Sequence, residues 1–236
     1  MSQTIEGLFL KSTITKNNSI LIDILTENYG RCNFVISNTN RKKSNFLLQP
    51  FHFLEFSSKF NSEKKINTAT NIDLVFSVVN ILSDIRKTGY AILITEILTK
   101  VIQPQEKNTT LYSSIKDMVI SFESNPFSPV FGLFFIKNLL NCLGIKPINN
   151  YSSENQYFNP KDGKFCSIKN NDIEEDFPNK DFSKLLGTKI DYDPYFLISN
   201  TNRRKIMNLL LYFMNYHGLI NTTKIKSIQI LQSLYD

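Results

Sequence analysis

Short apolar runs with a two-residue period fill the first 76 residues of the chain. The clearest spans residues 20–26, where three isoleucines occupy alternate positions; this alternation is typical of a β-strand with one buried face. The same pattern predicts five short strands, at residues 4–10, 20–26, 32–37, 46–56 and 66–76. Gly7 indicates a bend or bulge in the first strand. Asn28 and Gly30 provide the positive backbone angles that a hairpin turn needs.

From about Ile72 the period changes and the apolar residues recur at spacings of three and four, which predicts amphipathic helices. The first long helix covers residues 90–101 and ends before Pro104, and a second covers residues 111–122. Ser128 is expected to cap a third helix that ends at Gly144. Asn200 or Thr201 is expected to cap a fourth helix, and a last one is expected at residues 223–235.

These patterns predict an α+β protein in which a five-stranded OB-fold β-barrel precedes an α-helical domain. The expected boundaries are residues 1–78 for the barrel and 79–236 for the helical domain, with an irregular hairpin insert at about residues 148–194. An acidic run at residues 172–176 lies in this insert. Adjacent carboxylates without a glycine turn indicate a solvated loop rather than a cation site.

The composition is that of an ordinary folded protein with a basic excess. The formal net charge is +6 over 236 residues. This excess favours a polyanionic partner only slightly, because a Lys- and Asn-rich sequence also arises from genome base composition.

The three cysteines, Cys32, Cys142 and Cys166, are too widely spaced for a disulfide framework or a C-x-x-C metal pair, so reduced thiols are expected. The sequence shows no signal peptide or membrane-spanning segment, and we expect a cytoplasmic, nucleoid-associated protein without membrane contact.

Cations and aromatic residues interleave around the predicted third and fourth strands. Arg41, Lys42 and Lys43 form a basic cluster, and four more cations lie in or beside neighbouring turns: Arg31, Lys59, Lys64 and Lys65. Three aromatic residues lie between them, namely Phe51, Phe53 and Phe56. Such a mixture favours a groove that binds the backbone of a single strand and stacks its bases. The alternatives are a solvated loop for the cations and a place in the core for the aromatic rings.

A second group of cations opens the predicted fourth helix. Arg203, Arg204 and Lys205 lie in its first turn, where positive charge opposes the helix dipole at a cost of about 0.3–1 kcal/mol each. A contact with an anionic partner would explain this placement, and plain solvation is the alternative.

Catalysis is not expected, because the sequence has neither a glycine-rich phosphate loop nor an acid and base paired at helical spacing. His52 and His217 lie in apolar runs and are expected to be packed.

Several short segments, taken in order along the chain, resemble the RecO family of bacterial DNA repair and recombination proteins. The matching residues are Glu6-Gly7, Asp23 to Glu27, Gly30-Arg31, Arg41 to Ser44, Leu48 to Phe51, Glu96, Leu143-Gly144, Tyr157-Phe158 with Gly163, and Lys226 to Ile228. Each segment is short, and only their order over nearly the full length makes the resemblance specific.

The resemblance implies a recombination mediator without catalytic residues or cofactors. Such a protein binds single- and double-stranded DNA, anneals complementary strands and works with RecR. It helps to load the recombinase RecA onto DNA covered by the single-strand-binding protein. Arg31, Arg41, Lys42 and Lys43 would contact DNA. The acidic C-terminal tail of the single-strand-binding protein would dock on the helical domain, at Lys137 or at Arg203, Arg204 and Lys205.

One feature departs from the family pattern. Many relatives carry a four-cysteine zinc module in the region of residues 151–167, where this chain has only Cys166. One thiol does not make a closed zinc site, so we expect a metal-free hairpin held by Tyr157, Phe158 and Phe165.

Two other classes of function remain open. An OB-fold protein–protein adaptor would bind a partner protein without significant affinity for DNA, and an enzyme would hydrolyse nucleotide or DNA.

Overall fold

The computed structural model describes residues 2–36, 46–169, 176–189 and 191–227. The chain divides into two compact units. The first unit comprises residues 1–123 together with residues 225–236, and the second comprises residues 124–224. The first unit is therefore discontinuous in sequence. The expected domain boundary near residue 78 stays a prediction.

A six-stranded sheet forms the first part of the first unit. Its strands are β1 (Gln3–Ile14), β2 (Ile20–Thr26), β3 (Gly30–Ile36), β4 (Phe53–Ser58), β5 (Ile66–Thr68) and β6 (Thr70–Phe76). Their order in the sheet is β5-β3-β2-β1-β4-β6. Only the β3–β5 pair is parallel, and the other pairs are antiparallel. The sheet and the helices that follow it confirm the predicted fold class.

The predicted fifth strand is two strands, so the prediction of a five-stranded closed barrel was wrong in its details. The chain bends at Ala69, whose amide donates to the Val35 carbonyl oxygen at 3.0 Å. Before this bend the chain pairs with β3, and after it the chain pairs with β4. Asn71 assists the change of direction with a φ of 51°. The two edges of the sheet are thus joined through one residue rather than by a continuous ladder.

Two other strand predictions needed correction. The fourth strand begins at Phe53 instead of residue 46, because Phe51 has a φ of 68°, which is incompatible with a strand. The bulge in β1 falls between Phe9 and Lys11. Gly7 serves a different purpose, since a Cβ atom there would lie 2.3 Å from Ile24 Cγ2. In the turn before β3, Gly30 has a positive φ of 66°, whereas Asn28 does not.

Three helices complete the first unit: α1 (Val79–Ser83), α2 (Ile85–Val101) and α3 (Thr109–Ser124). The Glu123 carboxylate accepts from the amides of Asn80 at 2.7 Å and Ile81 at 2.9 Å, and so caps α1. Lys87 Nζ donates to the Phe122 carbonyl oxygen at 2.6 Å. These bonds satisfy polar groups at helix ends that burial would otherwise leave without partners.

The second unit contains α4 (Phe131–Cys142), the hairpin strands β7 (Tyr157–Asn159) and β8 (Lys164–Cys166), α5 (Asn179–Gly187) and α6 (Asn200–Tyr216). A short 3-10 turn covers Thr222–Lys224. The last predicted helix extends beyond Ser227, outside the described residues. None of the described helices is both long and apolar enough to span a lipid bilayer.

The two predicted N-caps in this unit are displaced, whereas the predicted C-terminal glycine is confirmed. Ser128 is no N-cap, because its hydroxyl donates to the Pro194 carbonyl oxygen at 2.7 Å and α4 begins later. The helix α6 is capped by Ser199, whose hydroxyl accepts from the Asn202 amide at 3.1 Å. Gly144 has a φ of 74° just after α4, as predicted for a glycine that ends a helix.

Aromatic packing holds the hairpin, with one change from the predicted set. Phe158 and Phe165 are buried with ring centroids 5.2 Å apart, and Phe158 also packs on Phe182 at 4.9 Å. Tyr157 is exposed instead of buried, and Tyr151 covers Phe165 in its place, at 5.3 Å. Alternation along the three-residue strand explains this, because neighbours of a buried residue point to the other face.

Candidate nucleic-acid interface

Arg31 lies at the start of β3 and is largely buried, with 15% of its side chain exposed. Its Nη2 donates to Asp23 Oδ2 at 2.7 Å and its Nε to Asp23 Oδ1 at 2.9 Å. Nη1 donates to the Ile102 carbonyl oxygen at 3.0 Å and to that of Thr99. The guanidinium therefore neutralises a buried carboxylate and satisfies the C-terminal carbonyls of α2.

The register of the sheet separates the predicted cations. Lys59 follows β4, whose last residue pairs with Gln3 at the start of β1. Lys64 and Lys65 precede β5, which begins beside Asn33 in the middle of β3 and runs parallel to that strand. All three lysines are exposed and lie at the end of the sheet that also carries the β2–β3 turn. Exposed carboxylates accompany them there: Glu27, Glu63 and Glu106.

The opposite end of the sheet is formed by the β1–β2 turn and by the end of β3. There Ile14 and Ile36 both pair with Ile20. Before β4, the His52 carbonyl oxygen accepts from the Phe9 amide at 2.9 Å, which places His52 beside the middle of β1. Of the two described residues that flank residues 37–45, Ile36 lies at this end of the sheet. With about 3.3 Å per residue, the seven-residue β3 places the two ends roughly 20 Å apart.

Arg41, Lys42 and Lys43 belong to residues 37–45 and lie outside the described residues. Their sequence context resembles that of the β1–β2 turn. Residues 11–22 and 37–52 contain no aspartate or glutamate and together carry five cations: Lys11, Lys16, Arg41, Lys42 and Lys43. We call these two stretches the acid-free segments. Lys11 and Lys16 were not identified from the sequence, because only the strand register brings the β1–β2 turn to the same end of the sheet as Ile36.

The β1–β2 hairpin that carries Lys11 and Lys16 is ordered but open to solvent. Its turn is closed by the Thr15 amide, which donates to the Ser19 carbonyl oxygen at 2.9 Å. Within the described residues, β1 pairs with β4 only as far as Leu8, so Lys11–Ile14 pairs with β2 alone. An exposed hairpin with a free edge presents its cations on a rigid support.

The aromatic residues chosen from sequence are core residues. Phe51, Phe53 and Phe56 are each at most 1% exposed, which confirms the alternative that they pack inside. Phe46 is different: 77% of it is exposed and it directly follows residues 37–45. An exposed ring of this kind is available to stack on a base. Only burial distinguishes Phe46 from its neighbours, which is why sequence did not identify it.

The predicted packing of both histidines is confirmed. His52 is buried and its Nδ1 lies 2.9 Å from the Leu47 carbonyl oxygen. Burial lowers the pKa of His52, so the ring is neutral at physiological pH. His217 packs on Phe213, with ring centroids 4.3 Å apart. In the described part of the chain, no group of three or more His, Cys, Asp or Glu residues is arranged to hold a metal ion.

In the second unit the predicted partner-binding residues differ in how far they are buried and in what they contact. Lys137 is buried, with its Nζ 3.1 Å from the Thr188 carbonyl oxygen and 4.9 Å from the centre of the Phe134 ring. Burial lowers the pKa of Lys137, although Asp191 opposes the shift. Lys205 pairs with Asp176, and Arg203 donates to Asn200 Oδ1. Arg204 is exposed.

Comparison with known proteins assigns the family. The family model described as Recombination protein O N terminal matches residues 1–78, and the model for its C terminal part matches residues 82–172. The DNA repair protein RecO of Azobacteroides pseudotrichonymphae is 24% identical over 229 residues, covering 93% of each chain. That of Bacteroides fragilis is 21% identical over 243 residues and covers all of both chains. The chain therefore belongs to the RecO family of DNA repair proteins.

Proposed function

We propose that this protein binds DNA through the acid-free segments at one end of its N-terminal sheet. The observation that carries the proposal is the strand register: the β1–β2 turn of the first segment and Ile36, which directly precedes the second segment, lie together at Ile20. The two segments carry five cations and no aspartate or glutamate of their own, although Lys11 lies 3.8 Å from Asp23. This excess of positive charge attracts phosphates, whereas the other end of the sheet has both signs of charge. Exposed Phe46 adds a ring on which a base can stack.

Phosphate contacts do not depend on sequence or on strand number, so this surface suits both single- and double-stranded DNA. A surface that neutralises phosphates also lowers the repulsion between two complementary strands, which favours annealing. Together with RecR, the protein would help to replace the single-strand-binding protein by RecA at gaps. The alternative function is a protein–protein adaptor that uses the same sheet without significant DNA affinity.

The test is fluorescence anisotropy of a labelled single-stranded oligonucleotide across a salt series. The variant Arg41→Ala/Lys42→Ala/Lys43→Ala should flatten the dependence of log K on log salt by about two to three units, since each neutralised phosphate contributes roughly 0.7 to 0.9. The matched control is Lys59→Ala/Lys64→Ala/Lys65→Ala, which removes the same charge from the opposite end of the sheet.

The two triple variants separate the outcomes. A flatter slope in the first variant alone supports binding at the acid-free segments. A similar loss in both variants would extend the DNA contact over both ends, as the sequence-based set of residues implies. Wild-type slopes in both variants would overturn the placement of the site. Absence of binding by the wild type at low salt would favour the adaptor, which a RecR pull-down then tests.

A further inference from the structure

Residues 191–199, which lead into α6, expose two large side chains that are mainly apolar. We call this segment the Tyr195 loop. Tyr195 is 76% exposed, and Leu197 is 92% exposed, which is the highest value among the large hydrophobic residues in the described part of the chain. Phe196, between them, is partly buried. The loop therefore leaves in water apolar area whose burial against a partner would be favourable.

Buried polar side chains hold the backbone of the Tyr195 loop in place. The hydroxyl of Ser128 donates to the Pro194 carbonyl oxygen at 2.7 Å. Asn138 on α4 donates through Nδ2 to the Asp191 carbonyl oxygen at 2.8 Å. Ser128 and Asn138 are 5% and 4% exposed, so the loop cannot move away without breaking hydrogen bonds of buried donors, which is costly.

Aromatic rings of the same loop pack inward, against α4. Tyr192 is buried, with its ring centroid 5.2 Å from that of Phe131 and 5.9 Å from that of Phe134. Phe196 packs edge-on against Phe134, at 5.5 Å. At the end of the loop, Ser199 caps α6. The inward rings and the cap fix the loop from one end to the other, so the two exposed side chains are presented on a rigid support.

We infer that the Tyr195 loop docks into an apolar pocket of a partner protein, and that the pocket buries Tyr195 and Leu197. At protein interfaces a few side chains that fill pockets supply most of the binding free energy, and tyrosine is among the commonest of them. A loop that already has its bound conformation loses little conformational entropy on binding. This docking surface lies in the second unit and does not depend on the proposed contact with DNA.

The chemistry of the Tyr195 loop favours a protein over a nucleic acid or an anionic membrane. Residues 191–199 contain two aspartates and no lysine or arginine, and the nearest cations along the chain are Lys189 and Arg203, outside the loop. Carboxylates repel phosphates, and Leu197 offers a nucleic acid neither a charge nor a ring on which a base can stack. An apolar pocket with cations at its rim is complementary to this loop.

The size of the exposed area favours a different protein over a second copy of this chain. A buried tyrosine contributes about 150–250 Å², whereas a stable interface buries about 800 Å² on each partner. In a symmetric dimer the same patch meets itself, so two side chains would face two side chains and aspartates would face aspartates. A partner whose pocket has walls around the loop supplies the missing area.

Site-specific cross-linking followed by a binding measurement tests the inference. The full-length protein with p-benzoylphenylalanine in place of Leu197 is irradiated in an extract of the cells in which it is made, and the cross-linked protein is identified by mass spectrometry. That protein is then purified, and its affinity for the wild type and for Tyr195→Ala/Leu197→Ala is measured by calorimetry. We expect the double variant to bind at least about thirtyfold more weakly, as for the loss of central interface residues.

Two control variants make the result specific. Ile168→Ala removes an apolar side chain that is 79% exposed elsewhere in the second unit, and it should bind the partner like the wild type. Leu197→Met keeps an apolar side chain of similar volume and should retain most of the affinity. Because the substituted side chains are largely exposed, each variant should keep the thermal unfolding curve of the wild type, which circular dichroism verifies.

The outcomes separate this inference from the proposed function. Cross-links only to a second copy of this chain, or to no protein, would overturn the inference, and so would equal affinity of the purified partner for the wild type and the double Ala variant. The double Ala variant should bind single-stranded DNA like the wild type, and a loss of that binding would assign the loop to the DNA contact instead. Partner binding that persists in the Arg41, Lys42 and Lys43 triple Ala variant would support the inference even if the acid-free segments prove inactive.

Discussion

At the scale of single residues, Arg31 shows how a cation near a predicted binding loop can serve the fold. Its sequence context, a Gly-Arg pair after a turn, is the same for a DNA contact and for a structural pair. The structure gives the guanidinium one carboxylate and two carbonyl partners within the first unit. Asp23, only 3% exposed, depends on this partner because Lys11 approaches it no closer than 3.8 Å.

We expect Arg31→Ala to lower the free energy of unfolding of the first unit by about 3 kcal/mol. Removing one partner of a buried ion pair leaves the other charge uncompensated, which costs about 3–5 kcal/mol, and Lys11 offsets a part of it. Urea unfolding followed by circular dichroism measures the change. Arg31→Lys should lose less, since it keeps the charge but not the forked geometry. Wild-type stability together with a flatter salt dependence of DNA binding would instead assign Arg31 to the DNA contact.

At the scale of secondary-structure elements, alternation and helical spacing predicted most of the architecture. These two patterns predicted β2, the long helices α2 and α3, and the hairpin, because burial of one face of a strand or helix sets the spacing of its apolar residues. They did not give the division of residues 66–76 at Ala69, since this residue bonds to Val35 in a distant strand. The interruption of the strand at Phe51 could not be predicted from the sequence either, because a positive φ is unusual for a bulky residue.

The candidate site was predictable only in part for a related reason. The basic cluster at residues 41–43 is visible in the sequence, but its companions depend on which strand ends meet. Lys59, Lys64 and Lys65 are near it along the chain and lie at the opposite end of the sheet. Lys16 is distant along the chain and lies at the same end as Ile36. Strand register decides these groupings, and short-range patterns do not reveal it.

Gly30 provides a test at this scale. Its φ is +66°, and a Cβ atom would lie 2.2 Å from the Glu106 carbonyl oxygen. We expect Gly30→Ala to destabilise the first unit by at least about 2 kcal/mol, through backbone strain and displacement of residues 104–106. Thermal unfolding measures this loss. Gly218→Ala is the control, since Gly218 has a φ of +72° with no atom within 4 Å. Equal losses in both variants would show that the close approach of Glu106 is unimportant.

At the scale of the whole molecule, the chain returns to its first unit near its end. The Glu96 carboxylate on α2 accepts from the Lys226 amide at 3.1 Å and from the Ser227 amide at 3.0 Å and hydroxyl at 2.6 Å. Burial alone would raise the pKa of Glu96, but these donors and Lys100 outweigh it and hold the pKa below its ordinary value. One carboxylate thus fastens the returning segment.

This contact predicts a dependence of stability on pH. Because the folded-state pKa of Glu96 lies below the ordinary value of 4.5, its contribution is full above that pH and is lost as the pH falls through the folded-state pKa. We expect Glu96→Gln to cost about 1.5–3 kcal/mol at neutral pH, and the difference from wild type to shrink in acid. Urea titrations over a range of pH measure it. Glu63→Gln, at an exposed glutamate, should change little at any pH, and a pH-independent loss in Glu96→Gln would contradict this account.

The return of the chain also determines how the protein responds to mechanical force. A pulling force applied between Gln3 and Ser227 is applied to two points of the first unit, and residues 124–224 form a side loop of the chain between them. The bonds between Glu96 and residues 226–227 lie in the loaded path, so they should break first. Only after this rupture does tension reach the second unit. A DNA repair protein pulled in this way would therefore unfold in two stages, beginning with the returning segment.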